Sequence, residues 1–136
     1  MERIVIISGL RTPMAKAGGA FKTLQADTLG SKLVREVVLR SPLSFAEIDE
    51  VIIGNVAQPI HAANIARVIA LRAGFSEATP AMTVHRNCAS GMESITTHRC
   101  CQNPCRRGKK PVVIQNAWGS GPYMQAMLSL QRPGLR

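Results

Sequence analysis

Residues 98–136 contain no acidic side chain at all. They carry seven Lys and Arg, a net charge of +7, whereas residues 1–97 hold ten basic and eight acidic side chains, a net of +2. The formal charge of +9 therefore belongs to the end of the sequence, and it does not mark the main part of the chain as a nucleic-acid-binding domain. No apolar run approaches the roughly 18 residues of a membrane span, so none is expected. Met1-Glu2-Arg3-Ile4 lacks the basic start and long apolar stretch of a secretory signal, which makes the cytoplasm the expected compartment. A disulfide framework is not expected there either. What is present is a length of 136 residues, enough for one domain with a modest core. A hydrophobic share of 46% excludes a disordered composition.

Read in order, apolar runs alternate with helical patterns. Ile4-Val5-Ile6-Ile7, closed by Ser8-Gly9, suits a parallel strand buried on both faces. Arg11 to Phe21 reads as a loop. Asp27 is placed to cap a helix through about Arg40, with Leu29, Leu33, Val34, Val37 and Val38 on one face. Ser44-Phe45-Ala46-Glu47 has capping-box spacing for a short helix. Val51-Ile52-Ile53, closed by Gly54, is a second buried strand. Ala62 to Ala73 reads as a helix with Gly74 as its C-cap. Ala81-Met82-Thr83-Val84 is a third strand, with helix-compatible residues after it. The alternation predicts an α/β fold with a parallel-rich sheet and no internal repeat.

In such folds reactive groups collect at the carboxyl ends of strands. Cys88 falls there, after the turn His85-Arg86-Asn87 and before Ala89-Ser90-Gly91. On the first turn of a helix, orphan N–H groups and the positive end of the helix dipole favour a thiolate. His85 and Arg86 add nearby positive charge, and the three small residues leave room for a substrate to reach the sulfur. A thiolate so placed is a plausible acyl acceptor, although a cysteine in apolar surroundings is more commonly an inert core residue. The Gly54-Asn55-Val56 turn reaches the same end of the sheet, where Asn55 is either a turn residue or part of the site. His61 and His85 read as loop histidines rather than catalytic bases.

Arg86-Asn87-Cys88-Ala89-Ser90-Gly91-Met92-Glu93-Ser94 resembles the nucleophile segment of the thiolases and, more narrowly, is similar to that of the bacterial-type acetyl-CoA acyltransferases of fatty-acid β-oxidation. Four further stretches fit in the right order: Arg11-Thr12-Pro13 with Gly18-Gly19, Asp49 to Val56, Asn64-Ile65-Ala66-Arg67, and Pro80 to Val84. The resemblance covers residues 1 to about 97. It implies part of the N-terminal half of a thiolase-like fold, a sheet with helices on both faces. It also implies acyl transfer between a 3-ketoacyl-CoA and coenzyme A in fatty-acid metabolism. Cys88 would be the acyl-thioester nucleophile, coenzyme A and acyl-CoA the substrates, and the intact enzyme a homo-oligomer. No bound cofactor or metal and no specific nucleic acid is expected.

After Thr97 the family pattern of a helix, a strand and a Gly-Gly-x-Glu loop is not followed. His98 to Pro111 is rich in Cys, Pro and basic residues instead, and reads as a basic tail from a shifted reading frame or a gene remnant, poorly ordered over 98–136. Val112-Val113-Ile114 could still supply the family's next strand. His98, Cys100, Cys101 and Cys105 have the residue types of a zinc site but not its spacing. Arg106-Arg107-Gly108-Lys109-Lys110 suits a solvated segment or a non-specific anion contact. The sequence also lacks the Gly-His-Pro, the second Cys-x-Gly and the Asn-Glu-x-Phe of the thiolase site. The expectation is a truncated thiolase-like acyltransferase that does not turn over alone. The alternative is a non-catalytic remnant whose basic tail binds anionic partners.

Overall fold

The computed structural model describes residues 3–16, 18–100, 111–117 and 123–132, with side chains described over 6–16 and 18–97. Among these residues there are five strands: β1 (Arg3–Arg11), β2 (Glu50–Gly54), β3 (Ala81–Val84), β4 (Pro111–Ala117) and β5 (Tyr123–Arg132). Three α-helices connect them, α1 (Ala26–Leu39), α2 (Ile65–Ala73) and α3 (Ser90–Cys100). The sheet order is β1-β5-β4-β2-β3. β4, β2 and β3 pair in parallel, and β5 lies antiparallel between β1 and β4. Four strands thus point the same way and β5 alone opposes them.

The chain moves outward from β2 to β3, then returns past β2 to form β4. With right-handed crossovers this reversal places α3 on the face opposite α1 and α2. Side-chain burial agrees. Val51 and Ile53 of β2 join one cluster with Leu33, Val34, Val37 and Val38 of α1 and Ile65, Ala66, Ile69 and Ala70 of α2. Ile52, fully buried but outside that cluster, points by strand alternation to the α3 side. All five residues of β2 are buried, as its unbroken apolar run predicts for a strand covered on both sides.

β1 departs from expectation. It runs on to Arg11 and lies at an edge, with Ile6 61% exposed, so it is not buried on both faces. Its register against β5 shifts between Ile6 and Ser8, a bulge that carries the strand through the Ser8-Gly9 stop. Nor does the sheet end at residue 97, since β4 and β5 both come from later residues, and Val112-Val113-Ile114 lies in β4 beside β2.

Helix ends show their chemistry. α1 is preceded by Gln25, which makes no side-chain cap; Asp27 sits inside the first turn instead of capping it. Its carboxylate is 1% exposed and is held by Arg72 of α2, which also donates to Thr28 Oγ1 at 3.2 Å. The other Asp27 oxygen has no hydrogen-bond partner among the described residues and stands 3.6 Å from His61 Nε2. Ser44 and Glu47 close the expected capping box, around a 3-10 turn at Phe45–Glu47. α2 starts at Ile65 rather than Ala62 because Asn64 caps it. Gly74 ends it in the left-handed region at φ 103, which a side chain would strain.

Asp27 is a buried charge with one strong partner, so removing that partner should be costly. Arg72→Ala is expected to lower unfolding stability by about 3 kcal/mol, the low end for a buried pair because Arg72 is half-exposed. Asp27→Asn in that background should recover part of the loss. Urea unfolding of the two variants measures both, and a loss below about 1 kcal/mol would contradict the ion-pair account.

Candidate active site

The carboxyl ends of β2 and β3 lie side by side, with Gly54 opposite Val84. Asn55 extends the pairing by one residue, its N–H donating to Val84 O at 3.0 Å. The Asn55 side chain is 1% exposed and closes the following turn by donating to Ala57 O at 2.7 Å. This supports its reading as a turn residue, at the strand end where a doubly wound sheet collects its reactive groups.

α2 is tied to β3 at the same time. Asn64 Oδ1 accepts from Arg67 N–H at 3.3 Å and from Thr83 Oγ1 at 2.8 Å, and Asn64 Nδ2 donates to Ala81 O at 3.1 Å. Arg67 reaches back to the carbonyls of Thr79 and Glu77 at 2.9 and 2.8 Å. The Asn64-Ile65-Ala66-Arg67 motif therefore fixes both the start of β3 and the strand itself.

From Val84 the chain turns through His85, Arg86, Asn87 and Cys88, all exposed. Asn87 adopts φ 46, in the left-handed region that Asn tolerates better than most residues. Ala89 N–H donates to Arg86 O and Ser90 N–H to Asn87 O, each at 3.0 Å. Ser90 is 1% exposed; its Oγ accepts from Arg86 N–H at 2.8 Å and donates to Asn87 O at 2.7 Å. The exposed thiol of Cys88 is carried on this closed turn.

Two expectations need correction. Cys88 is not on the first turn of a helix: α3 begins at Ser90, two residues later. The reason is local, since the Ser90 hydroxyl bonds the Arg86 N–H and the Asn87 carbonyl and favours a turn over an earlier helix start. Ser90 and Gly91 do not open space for a substrate, because both are buried toward β2. A Cβ on Gly54 would collide with the Ser90 carbonyl and stand 2.8 Å from Gly91 N, so the turn sits directly on the end of β2.

The charges near Cys88 are also committed. Arg86 Nη1 lies 2.5 Å from Glu93 Oε2. That hydrogen bond first, and then the carboxylate's charge, raise the guanidinium above its ordinary pKa against a smaller desolvation loss. His85 shares the turn, whereas His61 faces Asp27. Among the described residues no three His, Cys, Asp or Glu side chains converge as metal ligands, and no helix is long and apolar enough to cross a membrane. Cys101, Cys105 and Arg106 to Lys110 lie outside the described residues, as do the side chains of His98 and Cys100.

The family model described as "Thiolase, N-terminal domain" matches residues 4–114. The chain belongs to the thiolase family. Its match runs past residue 97 and into β4. A probable acetyl-CoA acyltransferase of Staphylococcus aureus strain NCTC 8325 / PS 47 is 44% identical over 95 residues, covering 70% of this chain and 24% of the relative. The corresponding protein of strain MRSA252 is 43% identical over the same length. Among solved structures, a Bacillus anthracis acetyl-CoA acetyltransferase superposes with a TM-score of 0.77 at 33% identity, over 83% of this chain and 28% of that one. The Acat5 thiolase from Ascaris suum in complex with coenzyme A gives 0.75 at 28% identity, over 82% and 29%. The chain spans about a quarter of the length of the curated relatives it matches, 24%.

The sequence of this thiolase-family chain marks Cys88 as a candidate but not the residues that hold its turn. It marks Gly54 as a strand stop and Ser90 as a small residue; their contact joins positions far apart in sequence and leaves no local signal. Gly54→Ala should force the turn off the end of β2, with a stability loss of about 1–3 kcal/mol from overpacking and a changed alkylation rate at Cys88. Thermal unfolding and iodoacetamide labelling check both. Unchanged stability together with an unchanged rate would show that the turn does not rest on Gly54.

Proposed function

We propose that Cys88 is the acyl-accepting nucleophile of a thiolase-type reaction. The observation that supports this best is the exposed thiol on a closed turn at the carboxyl end of β3, within the segment that resembles the family's nucleophile motif. The substrates are a 3-ketoacyl-CoA and coenzyme A, in fatty-acid metabolism in the cytoplasm, with a homo-oligomer as the working form. That one of the similar structures is a complex with coenzyme A fits this choice of substrate class.

In the proposed reaction the sulfur of Cys88 attacks the 3-keto carbon. The bond between that carbon and its neighbour breaks, the acyl group stays on sulfur as a thioester, and acetyl-CoA leaves after its carbanion takes a proton. The thiol of coenzyme A then attacks the thioester, forms the shortened acyl-CoA and returns a proton to Cys88. Each step needs an acid or base. These 136 residues hold no Gly-His-Pro and no second Cys-x-Gly to supply one. Each such group contributes about 10²–10⁴-fold, so this chain by itself should accept an acyl group yet not turn over. In this reading residues 98–136 add a basic character that the acyl chemistry does not use.

The test pairs two measurements on the purified chain. Iodoacetamide should label Cys88 fastest of the four cysteines, and thiolysis of a 3-ketoacyl-CoA should stay at background. Robust thiolysis that Cys88→Ala abolishes would show that the chain completes the site, contradicting the inactive reading. Slower labelling of Cys88 than of Cys100 and Cys101 would count against its assignment. Salt-sensitive binding to DNA that survives Cys88→Ala would instead support the anion-binding alternative.

A further inference from the structure

We infer that Ser90 is the positioning residue for the Cys88 thiol, an inference that rests on the acyl-transfer reading above. Ser90 is 1% exposed, so its hydroxyl has little access to substrate or solvent. Its hydroxyl bridges the nucleophile turn: it accepts from Arg86 N–H and donates to Asn87 O, at 2.8 and 2.7 Å. The Ser90 backbone is fixed independently, because its carbonyl lies against Gly54 at the end of β2. One residue thus joins the end of β2 to the His85–Arg86 and Asn87–Cys88 peptide groups.

The turn needs that support. Asn87 is held at φ 46, a conformation that persists when its surroundings over-determine it. A second tie, Arg86 to Glu93, is made by side chains 68% and 30% exposed, and such pairs hold geometry weakly. Without the Ser90 hydroxyl, Arg86 N–H loses this acceptor and Asn87 can relax toward negative φ. The thiol would then sample several positions instead of one. Acyl transfer from a large thioester demands a defined approach, whereas alkylation by a small reagent does not.

The test uses the full chain with Ser90→Ala, and with Ser90→Thr and Ser90→Val, which have matching volume and differ in the hydroxyl. Acetyl-CoA is the acyl donor: the Cys88 sulfur takes the acetyl group, and coenzyme A leaves with the proton. Loss of the hydroxyl in Ser90→Ala should slow acetyl transfer to Cys88 by about 10–100-fold, the scale of a misplacement near 1 Å, with iodoacetamide alkylation changed by less than about threefold. Ser90→Thr should stay near the wild-type rate and Ser90→Val should fall with Ser90→Ala. Hydrogen exchange at the Arg86 amide should accelerate in the Ala and Val variants while Ile52 and Ile53 stay protected. Equal acetyl transfer in Thr and Val variants, or an unchanged Arg86 amide, would overturn the inference and leave the Cys88 assignment standing. A parallel drop in both reactions that follows the melting temperature would also overturn it, as a purely structural effect. Wild-type protein that takes no acetyl group on Cys88 would sink the nucleophile assignment, and this inference with it.

Discussion

The contact between Gly54 and the Ser90 peptide decides where the turn that carries Cys88 can sit. A parallel sheet that reverses its winding between β3 and β4 brings reactive groups together at the carboxyl ends of the strands. Here the start of α3 packs on that end of β2, closely enough that a single methyl group on Gly54 would be in the way. Everything else at the site follows from that seat. Ser90 is buried by it, the Ser90 hydroxyl is turned back on the preceding loop, and Cys88 is left at the exposed outer side of the turn.

The support beneath the seat is a conventional core. β2 is buried on both faces, with α1 and α2 against Val51 and Ile53 and α3 on the side of Ile52. Burial of each such aliphatic side chain is worth about 1.5–3 kcal/mol, far more than the exposed Arg86 pair can add. The polar ties then orient what the core holds. Asn64 and Arg67 fasten β3, and Asp27 with Arg72 fastens α1 to α2. Buried strands therefore carry a short, exposed turn, a common division of labour in α/β proteins.

How much of this could be read from the sequence depended on range. β2 and β3 were legible because a continuous run of Val, Ile or similar residues closed by Gly or a turn is a local signal, and Gly74 stopped α2 as a C-cap glycine should. The start of β1 was legible, but its edge position was not, because pairing with β5 involves residues more than 100 positions away. Asp27 looked like a cap in sequence; its burial against Arg72 depends on two helices meeting. The segment around Cys88 stood out through five motifs in order. Its exact helical phase did not, since one buried hydroxyl, Ser90, delayed the start of α3 by bonding to the turn before it.

The seat itself can be observed without any reaction. In a nuclear Overhauser spectrum of the labelled chain, the α-protons of Gly54 should give strong cross-peaks to the Gly91 amide proton, as strong as those across the β2–β3 pairing at Ile53 and Thr83. Cross-peaks between β2 and β3 with none from Gly54 to Gly91 would mean that the sheet forms while the Cys88 turn lies elsewhere, and the account of how Cys88 is placed would be wrong.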